Sequence, residues 1–282
     1  MIWFKATGWR HLLAVLALVF ALFPVVFVVS GALNPAGTLT GSNRLFGEVS
    51  TSNYDKLFHD PLNPYLRWFA NSLLISTITA IGTVLLAASA AYAFSRFRFR
   101  GRRAGLTSLM LVQMFPQLLA QVAIFLLLFG ISDVFPAIGL DRQLGLIMVY
   151  LGGALGVNTY LLKGFFDSIP KELDEAAKID GATHTQIFFG IILRLAAPIL
   201  VVVGLLSFVS SMSEFVIASV VLQDPTRQTL AVGMYRFVSQ RFSENWGVFA
   251  AGATLAAIPV VVLFQFLQRY IVSGLTAGSV KG

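Results

Sequence analysis

The chain has 282 residues, of which 57% are hydrophobic and only 12% are charged, whereas a soluble globular chain averages about 45–50% apolar and about 25% charged residues. This composition excludes an ordinary soluble enzyme and a disordered chain, and it indicates an integral membrane protein. The sequence has no cysteine, which excludes disulfides, Cys–Zn sites, iron–sulfur clusters and thiol nucleophiles.

Long apolar stretches without Asp, Glu, Lys or Arg recur along the chain. A spanning helix needs about 20 mostly apolar residues, because each residue rises about 1.5 Å across about 30 Å of hydrocarbon. Six stretches fit, the fifth only if it continues past Glu214: residues 12–33, 68–95, 104–132, 143–162, 195–220 and 245–268. A transmembrane β-barrel would instead show alternating runs of about ten residues. The sequence therefore predicts an all-α membrane protein with six transmembrane helices.

The first stretch also has features of a secretory signal peptide, since Lys5 and Arg10 precede it. Its apolar run from Leu12 to Val29 has 18 residues, which exceeds the usual length of about 7–15, and no clean A-x-A cleavage site follows. We therefore prefer a retained first helix.

Basic residues are distributed unequally between the two sides that six spans define. Of the 20 Lys and Arg residues, 13 lie on the side of both termini and 7 on the other side. The positive-inside rule places both termini in the cytoplasm. For the same reason we interpret the arginine-rich run 96–100 as a topology anchor rather than as a nucleic-acid site.

These assignments predict four segments along the chain. Residues 1–33 form a cytoplasmic segment with the first span, and residues 34–67 form an external loop. Residues 68–270 form a five-helix core, and residues 271–282 form a cytoplasmic tail. The core contains one long cytoplasmic segment, residues 164–194.

Segment 164–194 has the pattern of two short helices. Pro170 suits the first position of a helix, and three acidic residues lie near the positive end of its dipole: Glu172, Asp174 and Glu175. Gly181 is a natural left-handed stop. Thr183 and Gln186 form a capping-box pattern that begins a second helix. We therefore predict a helix–turn–helix outside the membrane.

The first of these helices has a small apolar stripe, formed by Leu173, Ala176 and Ala177 at i, i+3 and i+4. An ordinary solvated connector is one interpretation, but a connector between spans needs only a few residues. Small side chains let another surface approach the backbone closely. We therefore favour a docking element for a cytoplasmic partner.

The same segment carries a recognisable spaced pattern: Glu175, Ala176, Ala177, Gly181, Ile191 and Leu193. It resembles the EAA loop of bacterial binding-protein-dependent ABC importers, where that loop marks the membrane permease subunits. The family's loop usually ends in Leu-Pro, whereas Arg194 stands at the proline position here and Pro198 follows it.

Other segments agree with this resemblance. Residues 52–58 and 71–73 resemble the outer loop and second span of sugar permeases in the family. Residues 229–234 and 274–282 closely resemble its maltose/maltodextrin branch. The similarity runs from the first span to the last residue.

The resemblance implies the type I ABC importer permease fold and a role as half of a sugar translocation pathway in a bacterial or archaeal cell (inner) membrane. The implied sugar is maltose or maltodextrin, with trehalose or another glycoside as the alternative. The implied protein partners are a second, different permease subunit, two copies of a cytoplasmic ATPase and an external sugar-binding protein. Membrane lipid is expected around the spans, and nucleic acid is not expected as a partner.

The resemblance also implies roles for particular residues. The EAA-loop residues, Glu175, Ala176, Ala177, Gly181, Ile191 and Leu193, would dock the ATPase. The outer segment 223–244 would contact the binding protein, and the tail 274–282 would reach toward the ATPase pair. No G-x-x-x-x-G-K-[ST] pattern is present in the sequence. We therefore expect no enzyme activity and no cofactor in this chain, with ATP and Mg²⁺ bound by the partner ATPase.

Polar side chains inside two predicted spans are candidates for a sugar path: Gln113, Gln117, Gln121, Ser211 and Glu214. The glutamines are spaced i, i+4 and i+8, so they would share one helix face, with Pro116 able to kink it. Hydrogen bonding between helices explains them equally well. A carboxylate costs at least about 2.5 kcal/mol at the bilayer centre unless it finds water or a partner. For Glu214 we therefore prefer a structural or gating contact.

Two other classes of protein were weighed. An ion-coupled secondary transporter would need paired ionisable residues at mid-membrane, and only Glu214 is available. An intramembrane enzyme would need a Ser–His pair, an Asp pair or a metal set, and no histidine or aspartate lies within the predicted spans. The three histidines of the chain have no metal-ligand spacing.

Overall fold

The computed structural model describes residues 7–38, 40–41, 44–241 and 245–277, with the backbone alone for residues 117–118, 240–241 and 271–277. All regular secondary structure in these residues is helical. The long helices are α1 (Trp9–Leu33), α3 (Tyr65–Arg96), α6 (Gln143–Ser168) and α13 (Trp246–Ala277). The shorter ones are α2 (Ser52–His59), α4 (Arg102–Gln113), α5 (Gln117–Ser132), α7 (Glu172–Ile179), α8 (His184–Ile187), a π-helical stretch (Phe188–Ile192), α9 (Leu193–Leu195), α10 (Ala197–Ser213), α11 (Val216–Val221) and α12 (Leu230–Arg241). The predicted all-α class is confirmed.

Four helices in the described part of the chain are long and apolar enough to cross a membrane: α1, α3, α6 and residues Trp246–Tyr270 of α13. A helix pair bent by 79°, His184–Leu195 and Ala197–Ser213, gives a fifth candidate if it is one span. Each of these lies over a stretch that composition predicts. The thickness of a bilayer therefore accounts for the lengths of these long helices.

The predicted third span is not one continuous helix. Helix α4 ends at Gln113 and α5 begins at Gln117, and Pro116 between them has an extended backbone with φ −60° and ψ 116°. Proline has no N–H to donate and disfavours helical geometry in the residue before it. The expectation that the three glutamines share one helix face is therefore wrong, because the face is interrupted after Gln113.

The predicted fifth span is interrupted as well. Helix α10 ends at Ser213, Glu214 has ψ 122°, and α11 resumes at Val216. At the other end, Pro198 lies in the first turn of α10, where a missing N–H has no cost. Non-helical backbone inside a membrane-spanning region is tolerated where it is buried in protein or lines a cavity.

The chain divides into two compact units. One comprises Met1–Leu66 and Gly233–Ile258, and the other comprises Arg67–Val232 and Pro259–Gly282. In the first unit, the buried Asn53 amide of α2 donates to the carbonyl oxygens of Ala32 (3.0 Å) and Asn34 (2.8 Å). These bonds fix α2 against the end of α1.

The second unit has two buried apolar clusters. One surrounds Phe166 and Leu162 of α6 and includes Ile187 and Ile192. The other surrounds Leu146 of α6 and contains residues of α3, α5 and α11. Helices α3 and α6 both contribute residues to the two clusters, so these two helices connect them.

Candidate functional site: a polar cavity and a short exposed helix

A cavity of about 1040 Å³ lies in the second unit. Residues of α3, α4, α5, α6, α10 and α11 line it, and its polar lining is Thr79, Gln113, Tyr150, Asn158, Ser207, Ser210, Ser211 and Glu214. Gly152 and Gly153 of α6 leave one part of the wall without side chains. The lining thus combines hydroxyl, amide, phenol and carboxylate groups with apolar walls.

Glu214 occupies the break between α10 and α11. One carboxylate oxygen, Oε2, accepts from the Tyr150 hydroxyl at 2.6 Å and from the Ala218 N–H at 2.9 Å. The other, Oε1, accepts from the Ile217 N–H at 2.8 Å. The carboxylate thereby satisfies the first N–H groups of α11, which have no partner within that helix. These bonds give Glu214 the structural contact that we preferred for it.

Gln113 joins α4 to α6. Its Nε2 donates to the carbonyl oxygen of Gly153. One turn further along α6, a Cβ on Gly156 would lie 2.5 Å from the Leu109 carbonyl oxygen. Only glycine fits this approach, so Gly156 allows the contact that brings Gln113 to the cavity wall.

The other predicted path residues have different positions. The Ser211 hydroxyl lines the cavity, but it donates to the Ser207 carbonyl oxygen of its own helix at 2.8 Å. Gln121 is half-buried and is not among the described residues that line the cavity. The side chain of Gln117 lies outside the described residues.

Sequence reasoning missed Thr79 on α3. Its side chain lines the cavity and is 2% exposed. Its hydroxyl oxygen has no hydrogen-bond partner among the described residues. A buried hydroxyl without a partner is costly, and because this oxygen is itself buried, Thr79 borders the cavity without exposing its hydroxyl to it.

The loop 222–229 is held firmly by neighbouring residues. Asp141, with φ 55°, accepts through Oδ1 from the Gln223 N–H (2.6 Å) and the Asp224 N–H (2.8 Å). Trp68 Nε1 donates to the Pro225 carbonyl oxygen at 2.7 Å. Hydrogen bonds from the backbone N–H and the hydroxyl of Thr226 lower the pKa of Asp224. The loop therefore presents a fixed shape, while residues 242–244 of the predicted contact segment lie outside the described residues.

Helix α7 is the first of the two helices predicted in segment 164–194. It ends in a Schellman motif, in which the Gly181 N–H donates to the Lys178 carbonyl oxygen (3.0 Å) and the Ala182 N–H donates to the Ala177 carbonyl oxygen (2.9 Å). Gly181 has φ +84°, as its predicted left-handed stop requires.

The faces of α7 differ from the predicted stripe. Leu173 is 42% exposed, and Ala176 and Glu175 are also exposed, whereas Ala177 packs against the apolar cluster around Phe166. Ile179, which sequence reasoning missed, is 87% exposed. The outward apolar surface therefore consists of Leu173, Ala176 and Ile179, with Glu175 beside it.

The second predicted helix begins with the expected capping box. The Thr183 N–H donates to Gln186 Oε1 at 2.8 Å, and the Gln186 N–H donates to Thr183 Oγ1 at 3.3 Å. Further along, Ile191 and Leu193 are half-buried, and Leu193 packs against the same cluster as Ala177. The exposed apolar and acidic residues of the EAA pattern, Glu175 and Ala176, therefore lie on α7.

Comparison with known protein families gives a direct match. Residues 72–277 match the family described as binding-protein-dependent transport system inner membrane component. The chain belongs to this family. Membership makes it a membrane component of a transport system, and neither an ion-coupled carrier nor an intramembrane enzyme is better supported.

Relatives in the family match nearly the whole chain. The galactooligosaccharides transport system permease protein GanQ of Bacillus subtilis is 40% identical over 273 residues, which cover 96% of this chain and 94% of that protein. The maltose/maltodextrin transport system permease protein MalG of Escherichia coli K12 is 39% identical over 282 residues, covering 96% and 95%. The maltodextrin permease protein MdxG of Bacillus subtilis is 36% identical over 272 residues, covering 96% and 95%.

Two solved structures have a similar fold. A chain of a bacterial ABC transporter involved in the import of the acidic polysaccharide alginate aligns with a TM-score of 0.78 and 24% identity, covering 95% of this chain and 97% of that chain. A chain of the MetNI methionine ABC transporter aligns with a TM-score of 0.51 and 17% identity, covering 74% and 94%. The helical architecture is therefore shared with chains of ABC transporters.

Proposed function

We propose that this chain is a permease subunit of an ABC sugar importer of the maltose/maltodextrin type. The observation that carries the proposal is the similarity of 36–40% over nearly the full length to permease proteins named for maltodextrins and galactooligosaccharides. Galactooligosaccharides are the second candidate substrate class, because GanQ is as similar as MalG.

The cavity in the second unit supports a sugar as the solute. Its volume of about 1040 Å³ is slightly above the range of about 300–1,000 Å³ that small-molecule sites occupy. The amides of Gln113 and Asn158 in the lining are neutral hydrogen-bonding groups that suit sugar hydroxyls. The Glu214 carboxylate is already engaged by Tyr150 and two backbone N–H groups, so it does not require a cationic solute.

We infer that the chain crosses the inner membrane six times with both termini in the cytoplasm. In this topology α4 and α5 together make one crossing, as do α10 and α11. The excess of basic residues on one side, 13 of 20, supports the orientation.

The energy for transport would come from ATP hydrolysis by other chains. A MalK-like ATPase pair would bind ATP and Mg²⁺ and dock on α7 through Leu173, Glu175, Ala176 and Ile179. A MalF-like second permease subunit would complete the pathway. An external sugar-binding protein would deliver the solute near loop 222–229.

Co-purification with a sugar panel tests this function. The tagged chain is co-expressed with a candidate second permease, ATPase and binding protein from the same organism, and the complex is placed in nanodiscs. ATP hydrolysis is then measured with maltose, maltotriose, galactobiose, trehalose or glucose. We expect stimulation by maltose or maltotriose but not by glucose. Failure of any ATPase to co-purify, or equal hydrolysis with every sugar, would contradict the proposal.

A further inference from the structure

Arg96, the last residue of α3, lies at the junction of three helices. Its Nε is 2.6 Å from Asp174 Oδ2 on α7. Its Nη1 donates to the Phe166 carbonyl oxygen at 3.0 Å, and its Nη2 donates to the Ile169 carbonyl oxygen at 3.0 Å. One guanidinium therefore connects the end of α3, the C-terminal end of α6 and α7.

The ion pair is inaccessible to solvent. The Arg96 and Asp174 side chains are 5% and 7% exposed. Removing one member of a buried ion pair leaves an uncompensated buried charge, which is costly. An ion pair at the surface contributes little to stability. The negative end of the α6 dipole also favours the guanidinium where it lies. Arg96 is therefore fixed to α6 and holds Asp174 from there.

Asp174 is the only buried residue of α7. The helix has eight residues, and Leu173 and Ile179 on it point outward with 42% and 87% exposure. Ala177 adds only a half-buried methyl group to the neighbouring apolar cluster. The side-chain attachment of α7 to the spanning helices is therefore chiefly electrostatic rather than apolar.

The pair is also incompletely engaged. Neither Arg96 Nε nor Asp174 Oδ1 has a hydrogen-bond partner among the described residues, although the two charged groups are in contact. The Nη1 and Nη2 groups of Arg96 are anchored on carbonyl oxygens at the end of α6, and the 2.6 Å contact of Nε with Asp174 Oδ2 links α7 to that guanidinium. A displacement of α7 would therefore act on Arg96 through this pair.

We propose that Arg96 is the positioning residue through which movement of α7 reaches α3 and α6, by way of its buried ion pair with Asp174. This rests on the proposed function, in which a partner ATPase moves α7. Unlike Arg96, the arginines Arg98, Arg100 and Arg103 that follow it are exposed and keep their role as topology anchors. Arg98 therefore provides a matched control two residues away.

The test uses the full complex in proteoliposomes with radiolabelled maltotriose, galactobiose and trehalose as probes. The variants are Arg96→Met, Asp174→Asn, the double variant, Arg96→Lys and the control Arg98→Met. Three quantities are measured for each: ATPase retained on the membrane, thermal unfolding temperature, and sugar imported per ATP hydrolysed. The last quantity reports coupling, which a merely structural role would leave unchanged in folded protein.

We expect each single variant at the pair to lower the sugar imported per ATP by about tenfold, a size usual for coupling between sites, while the ATPase stays bound. Arg96→Lys should recover part of this loss, and Arg98→Met should match the wild type. The double variant removes both charges, so it should regain thermal stability and yet remain poorly coupled.

Normal coupling in the double variant, or a parallel fall of hydrolysis and import in the single variants, would overturn the role of Arg96 and leave the proposed function intact. A wild-type complex that imports none of the three sugars would instead contradict the proposed function, and this inference with it.

Discussion

The Tyr150 hydroxyl on α6 donates a 2.6 Å hydrogen bond to the Glu214 carboxylate, which lies in the break between α10 and α11. The same carboxylate accepts from the N–H groups of Ile217 and Ala218. A single acidic residue thus ends one helix, begins the next and attaches both to α6. The interruption of the fifth predicted span is therefore a specific, hydrogen-bonded feature of the cavity wall.

Tyr150→Phe should destabilise the chain by about 1.5–3 kcal/mol, the usual contribution of a hydrogen bond to a charged group. The substitution removes the donor while it keeps the ring that packs in the cluster around Leu146. Thermal unfolding in detergent measures the effect. Tyr160→Phe on the same helix is the control, because Tyr160 is 52% exposed. Equal unfolding temperatures for the two variants would refute the importance of the Tyr150–Glu214 bond.

Gly152→Trp should block sugar uptake without preventing folding. A Cβ at Gly152 would meet nothing within 4 Å, and this position lines the cavity, so the indole has room to occupy the path. Uptake and membrane abundance are measured together. Gly164→Trp, another open position on α6, should leave uptake near the wild-type rate. Normal uptake by a correctly inserted Gly152→Trp chain would mean that the cavity is not the path.

Ile179→Asp should release the partner ATPase from the membrane. Ile179 is 87% exposed, and burying a carboxylate in an apolar contact without a partner is costly. ATPase retention after membrane washing is the measurement. Leu62→Asp, at a position 78% exposed in the predicted external loop, is the control and should retain the ATPase. Equal retention would exclude Ile179 from the docking surface.

Gly181→Ala should cost about 1–2 kcal/mol, because the left-handed geometry of this residue brings a Cβ close to the following carbonyl oxygen. The φ of Gly181 is +84°, and no other atom lies within 4 Å of the added Cβ, so the cost is conformational rather than steric crowding by neighbours. Its control is Gly164→Ala, which should be neutral or stabilising, since alanine favours a helix over glycine. Thermal unfolding distinguishes them, and a neutral Gly181→Ala would contradict the role of this turn.

The features that could be predicted from sequence follow local rules. Bilayer thickness fixes the length of an apolar helix, so α1, α3, α6 and α13 were anticipated from composition. The left-handed Gly181 and the Thr183–Gln186 capping box depend on neighbours a few residues away. Both occur where the sequence indicates.

The features that sequence reasoning missed depend on contacts between distant segments. Arg96 belongs to a basic run that reads as a topology anchor, and only the approach of α7 gives it a buried partner 78 positions later, at Asp174. Pro116 was expected to kink a helix, but it separates α4 from α5. The predicted stripe on α7 is also divided: Ala177 packs against the cluster around Phe166, whereas Leu173 and Ala176 are exposed. Which face of a helix becomes covered depends on how the helix packs against the rest of the chain.

Sugar uptake into proteoliposomes tests the central claim most directly. The complex that contains this chain is compared with a preparation that lacks the chain, using radiolabelled maltotriose with the binding protein outside and ATP inside. A third sample has a proton or sodium gradient but no ATP. The account predicts uptake only when both ATP and this chain are present. Uptake driven by the ion gradient without ATP, or equal uptake without this chain, would contradict it.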